Sequence, residues 1–176
     1  MRKRLGVMCS GNGTNFENIV KSCWDHEVVL MIYNTVDCGA MQRATKYGIP
    51  SAYFSHKEEA KIITEFKWQK VDYIILAGWM RILSEGFINA FPNRIINVHP
   101  SLLPKYKGLH AVEQAINSKD KVTGCTVHYV NDELDGGEII QQAVVPIFET
   151  DTTDILTKRI QREEYRILPE VIRELP

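Results

Sequence analysis

Apolar residues along this chain fall alternately into short unbroken runs and longer stretches with helical spacing. Val28-Val29-Leu30-Met31-Ile32-Tyr33 and Val71-Asp72-Tyr73-Ile74-Ile75-Leu76-Ala77 are runs of the kind that strands buried on both faces carry. Leu5 to Cys9 and Ile95 to His99 have the same character, and Ser51 to Phe54 is a shorter case. Between them, apolar positions line one helical face. Phe16, Ile19 and Val20 do so after the first run, and a helix around Met41 to Tyr47 stops at Gly48-Ile49-Pro50. A charged helix from Lys57 to Lys70 turns Ile62, Ile63 and Phe66 inward, and another, capped by Ser84, runs to Ala90 before Pro92 ends it. Strands and helices alternating in this way predict an α/β fold. The expected form is a single-domain, Rossmann-like, doubly wound, mostly parallel sheet with helices on both faces, whose ligands collect at the carboxyl ends of the strands.

The last third changes pattern. A loop from Lys105 to His110 and a helix from Ala111 to Ser118 precede two alternating strands, Gly124 to Val130 and Ile139 to Val145. These predict an antiparallel C-terminal edge, with the acidic turn Asn131 to Gly137 between them. From Thr152 to Leu175 a long amphipathic helix carries Ile155, Leu156, Ile160, Leu168, Val171 and Ile172 as its apolar stripe. No internal repeat or linker interrupts the chain, so residues 1–176 are expected to form one domain.

Three polar features fall where a ligand would. Asn97 and His99 lie one residue apart at the end of a strand that Pro100 stops, so both side chains share one face. They mark either a site or a strand end that is merely solvated. The turn Ser10-Gly-Asn-Gly-Thr-Asn15 joins a strand to a helix start, where backbone N–H groups can hold an anion without side-chain charge. A third glycine of the dinucleotide fingerprint would stand at Phe16, and no Gly-Lys-Ser/Thr follows, so a phosphomonoester fits better than a pyrophosphate. A plain tight connection is the alternative. At Gly13 a larger side chain is expected mainly to damage substrate binding by blocking close approach. The third feature, Gly78 to Leu83, is an apolar loop with one cation on the presumed ligand edge; core packing is the alternative for Met80, Ile82 and Leu83.

Composition narrows the classes. The formal net charge is -1, so no overall basic field favours nucleic acid as a partner. Cys9, Cys23, Cys38 and Cys125 are scattered, with neither a Cys-x-x-Cys pair nor zinc spacing, and read as reduced, mostly buried thiols without metal. The basic start Met1 to Arg4 leads into an apolar run too short for an export signal, and no apolar stretch reaches the ~18 residues that span a bilayer. A cytoplasmic protein is expected.

Taken in order, Ser10-Gly-Asn-Gly-Thr-Asn15, Ala77-Gly-Trp-Met-Arg-Ile-Leu83, Asn97-Val-His-Pro-Ser-Leu-Leu-Pro104 and Asp132-Glu-Leu-Asp-Gly-Gly137 resemble the folate-dependent formyltransferases over nearly the whole chain. The likeness is greatest to the branch that formylates the amine of glycinamide ribonucleotide in purine synthesis. That resemblance implies 10-formyltetrahydrofolate as cosubstrate and no metal. It puts Asn97, His99 and Asp135 in the catalytic positions. It gives the substrate phosphate to Gly11, Asn12, Gly13, Thr14 and Asn15, and the neighbourhood of the amine to Glu164. Folate contacts fall to Met80, Arg81, Ile82, Leu83 and Asn97, with Asn131, Asp132, Glu133, Leu134 and Asp135 closing over the pterin. Amine attack on a formyl carbon creates an oxyanion, for which Asn97 and a protonated His99 are suitable donors. His110 is expected near the site, and His128 is read as a structural core histidine.

Two departures from the family pattern stand out. The stretch between Phe54 and Val71 is short, leaving Lys57 as the nearest stand-in for a folate-binding arginine, and the chain stops at Pro176 where relatives commonly run further. Other readings are another folate-dependent formyltransferase, a formyltetrahydrofolate hydrolase, or a catalytically silent phosphate-binding module. Small molecules are the expected partners, with neither nucleic acid nor membrane, for a monomer or homodimer.

Overall fold

Unbroken Val, Ile, Leu and Met runs become the strands of one sheet in the computed structural model, which describes residues 1–176. The chain divides into two compact units, Met1–Asn97 and Val98–Pro176. The first contains β1 (Arg4–Cys9), α1 (Thr14–Ser22), β2 (Glu27–Tyr33), α2 (Gly39–Tyr47), β3 (Ser51–Tyr53), α3 (Glu59–Trp68), β4 (Tyr73–Leu76) and α4 (Glu85–Ala90). β5 (Ile95–His99) straddles the division. The second unit adds α5 (Ala111–Asn117), β6 (Val122–Tyr129), β7 (Ile139–Pro146) and α6 (Thr153–Arg173).

Strand order is β3-β2-β1-β4-β5-β6-β7. In the first unit β1 pairs in parallel with β2 and β4, β2 with β3, and β4 with β5. The chain steps outward from β1 to β3, then returns past β1 to β4 and β5. Because parallel crossovers are right-handed, this reversal puts α1 and α2 on one face and α3 and α4 on the other. α1 accordingly packs on α2, and α3 on α4. Fully buried Val7, Met8, Ile74 and Ile75 form the middle of this core, with Phe16 and Ile19 from α1 and Phe66 from α3. Phe66 lies against Gly6, where a Cβ would come within 2.5 Å of its ring, and its edge meets Phe91 with centroids 6.3 Å apart.

The second unit pairs β6 with β7 in antiparallel register, Cys125 opposite Ala143 and Val127 opposite Gln141, with a bulge at Val127/His128. α6 packs on both strands. Its first turn is closed by Thr152, whose side chain accepts from the Ile155 N–H at 3.3 Å. Asp151 beside the cap takes two bonds from the Arg159 guanidinium, which lower its carboxyl to about 2.

Most element boundaries match the sequence reading within a few residues, but α6 corrects it at one position. Ile155, expected in the buried stripe, is 49% exposed. At ~100° per residue it stands a full residue step away from Leu156, on the side opposite Ile160 and Ile167. Glu164, by contrast, sits on the buried face, 7% exposed. No helix is long and apolar enough to cross a membrane.

Candidate active site

The first unit carries the glycine loop, the 78–83 loop and Asn97. Gly13 ends the glycine loop as N-cap of α1 at φ 75°, and a Cβ there would lie 2.6 Å from Ala40 Cα. A side chain at Gly13 therefore meets the backbone of α2 before it meets any ligand, which corrects the expected effect of substitution there. α2 holds the loop further through Ala40 N–H to the Gly11 carbonyl at 3.1 Å and Arg43 Nε–H to the Asn12 carbonyl at 2.8 Å. Arg43 also pairs with Glu17 of α1. The loop is thus a preformed backbone cradle at a helix start, the arrangement that suits a phosphate.

Ser10 ties this cradle to the 78–83 loop, donating its N–H to the Gly78 carbonyl at 3.0 Å and accepting from Met80 N–H at 2.9 Å. Both loops leave the adjacent strands β1 and β4 at their carboxyl ends, where the winding reverses, the usual ligand position in such sheets. Met80 is 64% and Ile82 77% exposed, while Trp79 and Leu83 are buried. Core packing thus accounts for Leu83 but not for Met80 and Ile82. The loop departs through Gly78 at φ 80° and re-enters helix at the Ser84 cap, arching outward between these points. Large apolar side chains held at the surface beside exposed Arg81 suit a flat heterocycle such as a pterin. Asn97, half-buried on β5, pairs in register with Leu76 of β4.

The second unit carries His99, Asp135 and Glu164. His99 Nε2 lies 2.8 Å from the Tyr106 carbonyl. A carbonyl only accepts, so Nε2 carries a proton and Nδ1 is the nitrogen turned to the Asp135 carboxylate, 3.5 Å away. That separation is too long for a good hydrogen bond. The two side chains are 7% and 8% exposed, a nearly dry pair with Nδ1 positioned to serve an incoming group. Asp135 Oδ2 is fixed by the Gly108 N–H at 2.8 Å. Around it, Glu133 N–H bonds to Asn131 Oδ1 at 3.0 Å, and Lys107 reaches Glu133 at 2.7 Å, lowering the Glu133 carboxyl. Leu134 is half exposed, an apolar side chain on the segment expected over the pterin. No group of three or more His, Cys, Asp or Glu side chains is arranged to hold a metal ion.

Two participants escaped the sequence reading. His128, read as a core histidine, is indeed buried, yet its Nε2 faces Asp135 Oδ1 at 3.8 Å while Nδ1–H donates to the Tyr129 carbonyl at 2.9 Å. Burial pushes its imidazole below the ordinary range, against the upward pull of that carbonyl and of Asp135. The signal was period two: Thr126 and His128 share a face, and Thr126 Oγ1 donates to the Ser101 carbonyl at 2.7 Å, under the segment that follows His99. The Tyr106 carbonyl left no signal, since every residue has one. His110, expected near the site, is an exposed N-cap of α5 whose contact runs to Glu113 in its own helix, at 3.4 Å.

A family model described as formyl transferase matches residues 3–172. The chain is 41% identical, over 94% of its length, to phosphoribosylglycinamide formyltransferase of Escherichia coli (strain K12), covering 84% of that protein. It is 42% identical, over 97% of its length, to the trifunctional purine biosynthetic protein adenosine-3 of Drosophila melanogaster, of which it spans only 14%. Glycinamide ribonucleotide transformylase 1 from Symbiobacterium toebii matches with a TM-score of 0.95 at 39% identity, covering 98% of this chain and 86% of that one. With nearly its full length matched by the family model, the chain belongs to the formyl transferase family.

Proposed function

We propose that the chain transfers a formyl group from 10-formyltetrahydrofolate to the primary amine of glycinamide ribonucleotide, a step of de novo purine synthesis. The observation that carries this reading is the buried His99–Asp135 pair, with His99 held through Nε2 so that Nδ1 is the nitrogen available for chemistry. Relatives bearing phosphoribosylglycinamide formyltransferase and transformylase names support the choice of substrate.

In this mechanism Asn97 Nδ2 and the Nδ1–H of a His99 ring protonated at both nitrogens donate to the formyl oxygen as the amine adds to the formyl carbon and negative charge develops there. Asp135 keeps the His99 ring oriented, and the surplus amine proton passes to the folate nitrogen that leaves, by way of water. Gly11, Asn12, Gly13, Thr14 and Asn15 take the substrate phosphate on backbone N–H groups at the start of α1. Glu164 holds the substrate near its amine. Folate lies against Met80, Arg81, Ile82, Leu83 and Asn97, with Asn131, Asp132, Glu133, Leu134 and Asp135 as the covering segment. Residues 1–176 act as one formyltransferase domain in the cytoplasm, on these small molecules alone and without a metal, as a monomer or homodimer; a single family model spanning 3–172 supports the one-domain assignment.

The test offers the protein 10-formyltetrahydrofolate with glycinamide ribonucleotide, with other amines, or with water alone. Formylation of the ribonucleotide is expected, and release of formate without an amine would overturn the substrate assignment. His99→Ala or Asp135→Asn should lower kcat by roughly two to three decades. A folded variant of either kind that turns over normally refutes the mechanism.

A further inference from the structure

On its Nε2 side the His99 ring is held by a backbone carbonyl, and a carbonyl points only where its own residue holds it. Tyr106 sits at φ 55°, in the left-handed region that a bulky side chain avoids. A chain of four bonds keeps it there. Its hydroxyl donates to Asp120 Oδ2, in the turn between α5 and β6. Lys105, the residue before it, reaches the same carboxylate with Nζ at 2.8 Å. The Lys105 carbonyl in turn accepts from Ser101 Oγ at 2.6 Å, and Ser101 N–H bonds back to the His99 carbonyl at 2.9 Å. The segment from His99 to Tyr106 is therefore closed at both ends, and Asp120 is the anchor of the far end. The bonds from Lys105 and Tyr106 hold the Asp120 carboxyl below its ordinary range.

We propose that Tyr106, braced by Asp120 through its hydroxyl, is a positioning residue that fixes the tautomer and ring direction of His99. The hydroxyl and the carboxylate do their work through the Tyr106 carbonyl on Nε2. With the brace intact, Nε2 is committed to the Tyr106 carbonyl and Nδ1 is presented to Asp135. Without it, the loop samples conformations in which the carbonyl swings away and both ring tautomers populate. The kinetic consequence rests on the formyl-transfer reading; the effect on the ring does not.

The test uses the full chain carrying Tyr106→Phe or Asp120→Asn, each shown by melting curve to be folded, alone and combined with His99→Ala. Either single variant should lower kcat about three- to tenfold, the scale of one lost hydrogen bond, while both KM values stay within about twofold. In the His99→Ala background the same changes should cost nothing further, because their route to the chemistry has been removed. Nitrogen-15 NMR of the imidazoles supplies a readout independent of turnover. In its neutral form the His99 ring should show the Nε2–H tautomer in the parent and a mixture of tautomers in both variants. An unchanged His99 ring signature, or losses that multiply with that of His99→Ala, would overturn the proposal. A parent enzyme inactive on the ribonucleotide would instead count against the proposed reaction, leaving the NMR arm to decide the positioning role.

Discussion

Burial and hydrogen bonding pull His128 in opposite directions, and burial wins. Its imidazole titrates below the ordinary value of 6.5 in the folded chain, despite the Tyr129 carbonyl and the Asp135 carboxylate. When the pH falls below 6.5, the unfolded chain takes up a proton that the folded chain refuses. The stability His128 permits is thus fully present above that pH and is lost as acidification proceeds toward the lower folded value. His128→Gln, which cannot titrate, should show a smaller drop in melting temperature between pH 7.5 and pH 5.5 than the parent, as thermal denaturation would reveal; equal drops would contradict the assignment. Asp151 titrates in a separate window. Its carboxyl is depressed from 3.8 to about 2 by the Arg159 bonds, so its contribution is present above 3.8 and disappears only as the pH falls toward 2. The two effects can therefore be separated in one pH series.

At the scale of elements, the N-terminal ends of α1 and α6 show two ways of starting a helix. α6 begins with a Thr152 side chain, and Thr152→Ala should cost about 1 kcal/mol, measured by urea unfolding. α1 has no side-chain cap and begins instead from Gly13 at φ 75°, pressed against Ala40. Gly13→Ala combines an unfavourable backbone angle with a 2.6 Å approach to Ala40 Cα, and is expected to lower stability by about 1–3 kcal/mol. A Cβ at Gly11 meets nothing within 4 Å, so Gly11→Ala is the cleaner probe of the cradle. If the loop binds the phosphate as proposed, the change should raise the KM for the ribonucleotide by about tenfold while leaving the melting temperature within experimental error, since the added methyl group meets no other part of the chain. A ribonucleotide KM that does not move would remove the loop from the substrate site.

Over the whole molecule, features written as side-chain chemistry were legible and features written as backbone direction were not. Apolar runs such as Val28 to Tyr33 became strands because no other structure hides so many β-branched side chains in so few residues. Asn97, His99 and Asp135 could be singled out because residue type and order carry the family pattern. The exposure of Met80 and Ile82, and the aim of the Tyr106 carbonyl, depend instead on loop dihedrals that residue identity hardly constrains. The cysteines belong to the legible part: all four are buried and unbridged. Burial pushes the Cys9 thiol far above its ordinary range and Cys125 up to about 12, so neither forms the reactive thiolate near neutral pH. Cys9 lies in the core of the first unit and Cys125 in that of the second, so each reports on the opening of its own unit. Labelling of either by a thiol reagent at pH 7.5 then requires that the surrounding core open. With opening free energies of about 5 kcal/mol or more, typical of folded domains, both should react at least about 10³-fold more slowly than in urea. Mass spectrometry of the labelled peptides measures the two rates separately, and fast labelling of native Cys9 or Cys125 would show that the corresponding core is not closed.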